Sequence, residues 1–180
     1  MQPRAPLGRT LSDRCPGLLR PHLAEDGALV RLRLPGGLTT AATLRELSRI
    51  AGSYGEGSVQ LTSRGNLQLR GLTERVLPEL VERVAALGLL PSLTHERVRN
   101  LIASPLTGLG SGTWADLRPM VSELDEAVCR RAELAELPGR FLFALDDGRG
   151  DVSALRFDLA YRAEGTAGGT LSEAKDAGEK

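Results

Sequence analysis

Lysine is nearly absent from this 180-residue chain. Of its 23 basic residues only Lys175 and Lys180 are lysines, and the rest are arginine. Aromatic residues are 3% of the chain, so leucine, valine and alanine must build its core. The two cysteines, Cys15 and Cys129, lie far apart. Two lone thiols make neither a disulfide framework nor a cysteine metal motif. Formal net charge is zero, which excludes a general nucleic-acid binder held by a basic excess. No apolar run approaches the roughly 18 residues of a membrane span, and Met1 to Pro21 lacks the apolar stretch of a secretory signal. These absences predict a cytoplasmic protein with no membrane or nucleic-acid partner. The length suits one domain or little more.

The strongest pattern present is Ser58 to Arg70, SVQLTSRGNLQLR. Alternate residues of a strand point to opposite faces of a sheet. Val59, Leu61, Leu67 and Leu69 fall on one face. Gln60, Thr62, Arg64, Asn66, Gln68 and Arg70 fall on the other. A solvated sheet face accounts for polar residues of this kind, but so many donors also suit an anionic ligand. The stretch reads as one long strand or as two hinged near Gly65-Asn66.

Around it, Leu29 to Leu34 (LVRLRL) alternates as a strand and ends at Pro35-Gly36-Gly37. Thr39 or Thr40 can cap a helix with Leu44, Leu47, Ile50 and Ala51 on one face, closed by Gly52 to Gly57. Thr73 to Leu87 is a second helix, regular from about Pro78, with Gly88 at its C-terminal cap. Leu101-Ile102-Ala103 is a short apolar run. Asp116 to about Leu137 has helical spacing, Arg140 to Leu145 is a strand candidate, and Val152 to Tyr161 another. The expected fold class is α+β: a ferredoxin-like half domain, a split β-α-β unit, followed by the start of a second α+β domain. The expected divisions are an extended segment at 1–27, the half domain at 28–90, a partial domain at 91–161 and a disordered tail at 162–180.

GALVRLRLPGG, SVQLTSRGNLQLRGL and THERVRNLIASPLTG together resemble the ferredoxin-like half domain of the nitrite and sulfite reductases. Within that superfamily the chain is most similar to the precorrin-3B synthases, through CPGLLRP, LLPSLTHERVRN and LPGRFLFALDDGRGDV. The resemblance spans about residues 13 to 160. It implies an oxidoreductase family that uses a four-iron, four-sulfur cluster and a tetrapyrrole, either sirohaem or a precorrin of cobalamin biosynthesis. Matched position by position, it implies that Arg31, Arg64, Arg99, Asn100 and Arg140 bind tetrapyrrole carboxylates. Arginine suits that task because its planar fork pairs with carboxylates through charge-assisted hydrogen bonds.

The sequence also departs from the reductase pattern. Gln60 stands where those enzymes have another arginine, Gly65 replaces the Gln of T-x-R-Q, and Leu142 takes a position where they carry a lysine. The family's cluster needs C-x5-C and C-x3-C pairs, and this chain has no such pair. The chain alone is therefore expected to hold no cofactor and to be inactive, as an N-terminal portion, truncated or part of a split gene. A second chain could supply the cluster-binding half. The alternatives are a fragment of a sirohaem-dependent nitrite or sulfite reductase and a non-catalytic tetrapyrrole-binding or partner subunit. No catalytic residue is assigned and no metal site is expected. His22 and His95 lack metal spacing, His95 reads as a surface residue, and DDGRGD, without the spacing of a calcium loop, reads as a polar turn.

Overall fold

The computed structural model describes residues 15–73, 77–109, 114–165 and 168–173. Strand β1 (His22–Ala24) pairs antiparallel with β2 (Gly27–Leu32). The extended lead-in expected up to residue 27 therefore ends in a paired strand, and residues 1–14 lie outside the described part. After β2, Pro35–Gly37 makes one tight turn. Thr40 then caps α1 (Ala41–Tyr54), its hydroxyl accepting from the Thr43 amide at 3.0 Å. That bond satisfies one of the donors every helix start leaves open. Leu47, Ile50 and Ala51 face the core, whereas Leu44, expected on the same stripe, is exposed.

The Ser58–Arg70 stretch is two strands, β3 (Gln60–Leu61) and β4 (Leu67–Leu72), paired antiparallel. The turn between them closes through Thr62 N–H to Asn66 O and Gly65 N–H to Thr62 O. Gly65 has φ +68°, a left-handed conformation that glycine adopts without a Cβ clash. The sheet order is β1-β2-β4-β3. A register shift sets Arg70 and Gly71 against Leu29 alone, which is a β-bulge. Strict alternation would put Leu69 and Leu72 on opposite faces, but the bulge lets both reach the core. Leu61 sits opposite Leu67, yet it is 74% exposed because β3 is the sheet edge.

Helix α2 (Leu77–Ala86) packs beside α1 on the apolar face. Val30, Leu32, Leu47, Ile50, Leu69 and Leu80 form the centre of this first core. Glu46 of α1 pairs with Arg83 of α2, and Arg83 also lies 5.4 Å from the Tyr54 ring centre.

The second sheet combines β5 (Leu101–Ala103), β6 (Phe143–Asp146), β7 (Leu159–Glu164) and β8 (Gly168–Glu173) in sequence order. β5 to β6 and β6 to β7 are parallel, and β7 to β8 is antiparallel. Parallel strands need a crossover, and α3 (Arg118–Arg130) supplies the one between β5 and β6. Its Val121 and Val128 pack with Leu101, Leu117, Phe143 and Leu145 in a second core. The helix expected to run to Leu137 ends at Arg130. Arg131 turns to extended backbone, and a 3-10 turn follows at Ala132–Glu136. Residues 152–155 form a turn rather than strand, with pairing beginning at Leu159. Of the tail expected to be disordered from residue 162, residues 162–164 and 168–173 are instead strand, because β7 and β8 pair through Glu164 and Gly168, and residues 166–167 and 174–180 lie outside the described part.

Candidate anion-binding site

In β2 the odd-numbered residues oppose the core. Arg31 and Arg33 therefore project from the face of the first sheet that α1 and α2 do not cover. Gln68 of β4 pairs with both Arg31 and Gln60 in register. Their side chains form a row of hydrogen bonds across the sheet. Arg31 Nη2 donates to Gln68 Oε1 at 3.2 Å, Gln68 Nε2 to Gln60 Oε1 at 2.8 Å, and Gln60 Nε2 to Glu56 Oε1 at 3.1 Å. The row fixes the Arg31 guanidinium, but its buried Nε has no hydrogen-bond partner. An unmet buried donor costs the desolvation of that group, roughly 1–3 kcal/mol, and an acceptor brought by a ligand removes that cost.

Arg33 is 3% exposed. Its Nε donates to Arg97 O at 3.2 Å and its Nη2 to Gly139 O at 3.4 Å. Burial lowers its pKa to about 10 and the like charge of Arg31 lowers it too; Cys15 and Glu96 act the other way by less than Arg31, and the Arg64 charge lowers it least. The Glu96 carboxylate is occupied, accepting the Leu18 amide at 2.8 Å and the Leu19 amide at 3.4 Å. A Cβ at Gly17 would lie 2.1 Å from Glu96 Oε1, so the CPG segment needs glycine to close over this acid. Arg64, in the β3–β4 turn, donates from Nη1 to Arg140 O at 2.7 Å. The Arg140 residue itself is exposed. Arg31, Arg33 and Arg64 thus form a cationic group, and among the described residues none of the three makes an ion pair with an acid.

The other expected site residues lie beneath this face. Arg99 is 3% exposed. It clasps Asp125 of α3 with two bonds, at 2.7 and 2.6 Å, and donates to Leu89 O at 3.3 Å. Asn100 donates to Gly139 O at 2.8 Å and accepts from Asn66 Nδ2 at 2.9 Å, while Asn66 accepts the Leu34 amide at 3.0 Å. Arg99 and Asn100, expected to contact a ligand, are thus both buried, with side chains bonded to Asp125, Leu89, Gly139 and Asn66. Asn66, expected on the outer face, is 1% exposed because the Gly65 turn redirects it inward. His95, read as a surface residue, is 4% exposed, with Nε2 2.9 Å from Arg131 O and Nδ1 2.8 Å from Ser92 Oγ. Sequence reasoning missed Arg33, although its spacing of two from Arg31 placed both on one face.

The molecule is an α+β protein whose first sheet carries helices on one face and guanidinium groups on the other. Residues 22–87 match the family model of the nitrite/sulfite reductase ferredoxin-like half domain, and the chain carries a half domain of that family. It is 33% identical over 151 residues to the ferredoxin–nitrite reductase of Synechococcus elongatus, covering 78% of this chain and 29% of that protein. It is 32% identical over 158 residues to the precorrin-3B synthase of a Sinorhizobium species, covering 86% of this chain and 33% of that protein. The Mycobacterium tuberculosis NirA protein shares the fold with a TM-score of 0.66 at 24% identity, over 75% of this chain and 25% of that one. The chain thus spans a third or less of the length of these relatives.

Proposed function

We propose that this chain forms one wall of a tetrapyrrole-binding site in an oxidoreductase of the precorrin-3B synthase type, acting in corrin (cobalamin) biosynthesis. The observation that carries the reading is the cluster of Arg31, Arg33 and Arg64, with the buried Arg31 Nε left without an acceptor. A tetrapyrrole acid offers carboxylates around a flat apolar ring, and a sheet face presents guanidinium groups to it at fixed spacing. Arg31, Arg64 and Arg140 are the residues proposed to meet those carboxylates. Arg33 and Asn100, both donating to Gly139 O, position the neighbouring Arg140. The similarity to a precorrin-3B synthase supports the family and reaction class.

Leu142 favours this reading over sulfite or nitrite reduction. The reductases that the sequence resembles carry a basic group at that position, and here it is an apolar side chain 2% exposed in the second unit. A four-iron, four-sulfur cluster does not fit this chain alone. Such a cluster takes four thiolates, the chain has two cysteines, and Cys129 lies on α3 with its thiol pushed up by burial. The cluster-binding half would come from a second chain or from further sequence. The test is a spectral titration of the full chain with sirohaem, compared with Arg31→Ala and Arg64→Ala. Each substitution is expected to weaken binding about 10-fold or more, the scale of one lost charge-assisted hydrogen bond. Equal affinity in both variants contradicts the proposal.

A further inference from the structure

At the carboxyl end of β6, Asp146 and Asp147 meet Asp151 from the following turn. One carboxylate oxygen from each lies within 4.8 Å of the others. Two oxygens on opposite sides of a calcium ion, each at about 2.4 Å, would be about 4.8 Å apart, so the three can share one ion. Asp146 is 3% exposed. Its Oδ1 accepts the Gly148 and Gly150 amides at 2.8 and 2.9 Å, but its Oδ2 is buried with no hydrogen-bond partner. A buried carboxylate oxygen without a donor is costly unless a cation faces it.

The surrounding bonds position these acids while leaving acceptor capacity. Arg149 binds Asp147 through Nε at 3.1 Å and Nη2 at 2.6 Å, and its amide reaches Asp147 Oδ1 at 3.4 Å. A carboxylate has about four lone-pair sites, so Asp147 can serve both Arg149 and an ion. Ser104, directly after β5, donates to Asp151 Oδ1 at 2.5 Å and accepts the Asp147 amide at 3.1 Å. Three carboxylates face two guanidinium groups: Arg149, paired with Asp147, and Arg162, in register with Asp146 and with its Nη2 3.9 Å from where a Cβ at Gly150 would lie, which leaves negative charge in excess. All donors are oxygen, the set that hard divalent cations take.

We propose that Asp146, Asp147 and Asp151 bind a hard divalent cation, Ca²⁺ or Mg²⁺, that ties the carboxyl end of β6 to the turn that follows it. The proposal goes beyond the sequence reading of DDGRGD as a polar turn. It stands apart from the tetrapyrrole proposal, since it uses none of the same residues. The chain's single tryptophan provides a local reporter. A Cβ at Gly148 would lie 1.8 Å from Trp114 Cδ1, so the indole rests on this turn.

The experiment is terbium luminescence excited through tryptophan in the full chain, with Ca²⁺ and Mg²⁺ as competitors. A saturable sensitised signal displaced by at least one of them is expected. Asp146→Asn, which removes the acceptor at Oδ2, is expected to weaken terbium binding tenfold or more. The exposed Asp151→Asn, with folding checked by circular dichroism, is expected to do the same. It decides the matter if Asp146→Asn does not fold. No sensitised signal, no competition by either ion, or wild-type affinity in a folded variant overturns the proposal.

Discussion

Arginines of this chain divide by what surrounds each guanidinium. Arg99 is bonded on every side within the fold, so removing it leaves Asp125 facing the interior without its partner. Breaking a buried ion pair on one side costs about 3–5 kcal/mol. Arg99→Ala is expected to lower stability by about 3 kcal/mol in urea unfolding, and an unchanged midpoint contradicts that structural role. Arg64 makes one bond to a carbonyl from a part-exposed turn, so its loss leaves no buried group unpaired. The T-x-R and R-N motifs were legible in the sequence. Their different burial was not, because it depends on an acid from α3 and a carbonyl at Gly139, both distant in the chain.

At the scale of elements, local signals served well where the chemistry is local. Thr40 caps α1, and Gly65 makes the turn that splits the opening stretch into β3 and β4. The bulge at Gly71 was hidden, because it shows only in the register with β2. The α1–α2 contact is also long-range. Arg83 and Arg49 hydrogen-bond Glu46 and hold its carboxyl below the usual range. A carboxyl lowered in the folded state stabilises above its unfolded pKa, about 4.3, and loses that contribution as pH falls through the lower folded value. Wild type and Glu46→Gln are therefore expected to differ in stability near neutral pH and to converge under acid. A constant difference across that range in pH-dependent urea unfolding contradicts this role of the pair.

Across the whole molecule, two sheets with separate cores are joined by polar bonds: Asn66 to Asn100, Arg33 to Gly139, Arg64 to Arg140, and Glu96 to Leu18. The first unit was readable from periodicity because each of its elements has a clear apolar face. The second was harder. β5 and β6 are short strands buried in a parallel sheet, and such strands read as brief apolar runs without alternation. The pairing of β7 with β8 was invisible in a stretch rich in glycine and alanine. The joined arrangement gives the cationic sheet face a second boundary at Arg140, which is why a broad, multiply charged acid is the ligand proposed for it.

That proposal turns on carboxylates rather than on the apolar ring they surround. The most direct measurement compares the affinity of the full chain for a tetrapyrrole acid with its affinity for the methyl ester of the same ring, followed by absorbance. Guanidinium recognition predicts that the acid binds at least tenfold more tightly and that added salt narrows the gap. Equal affinity for acid and ester contradicts it.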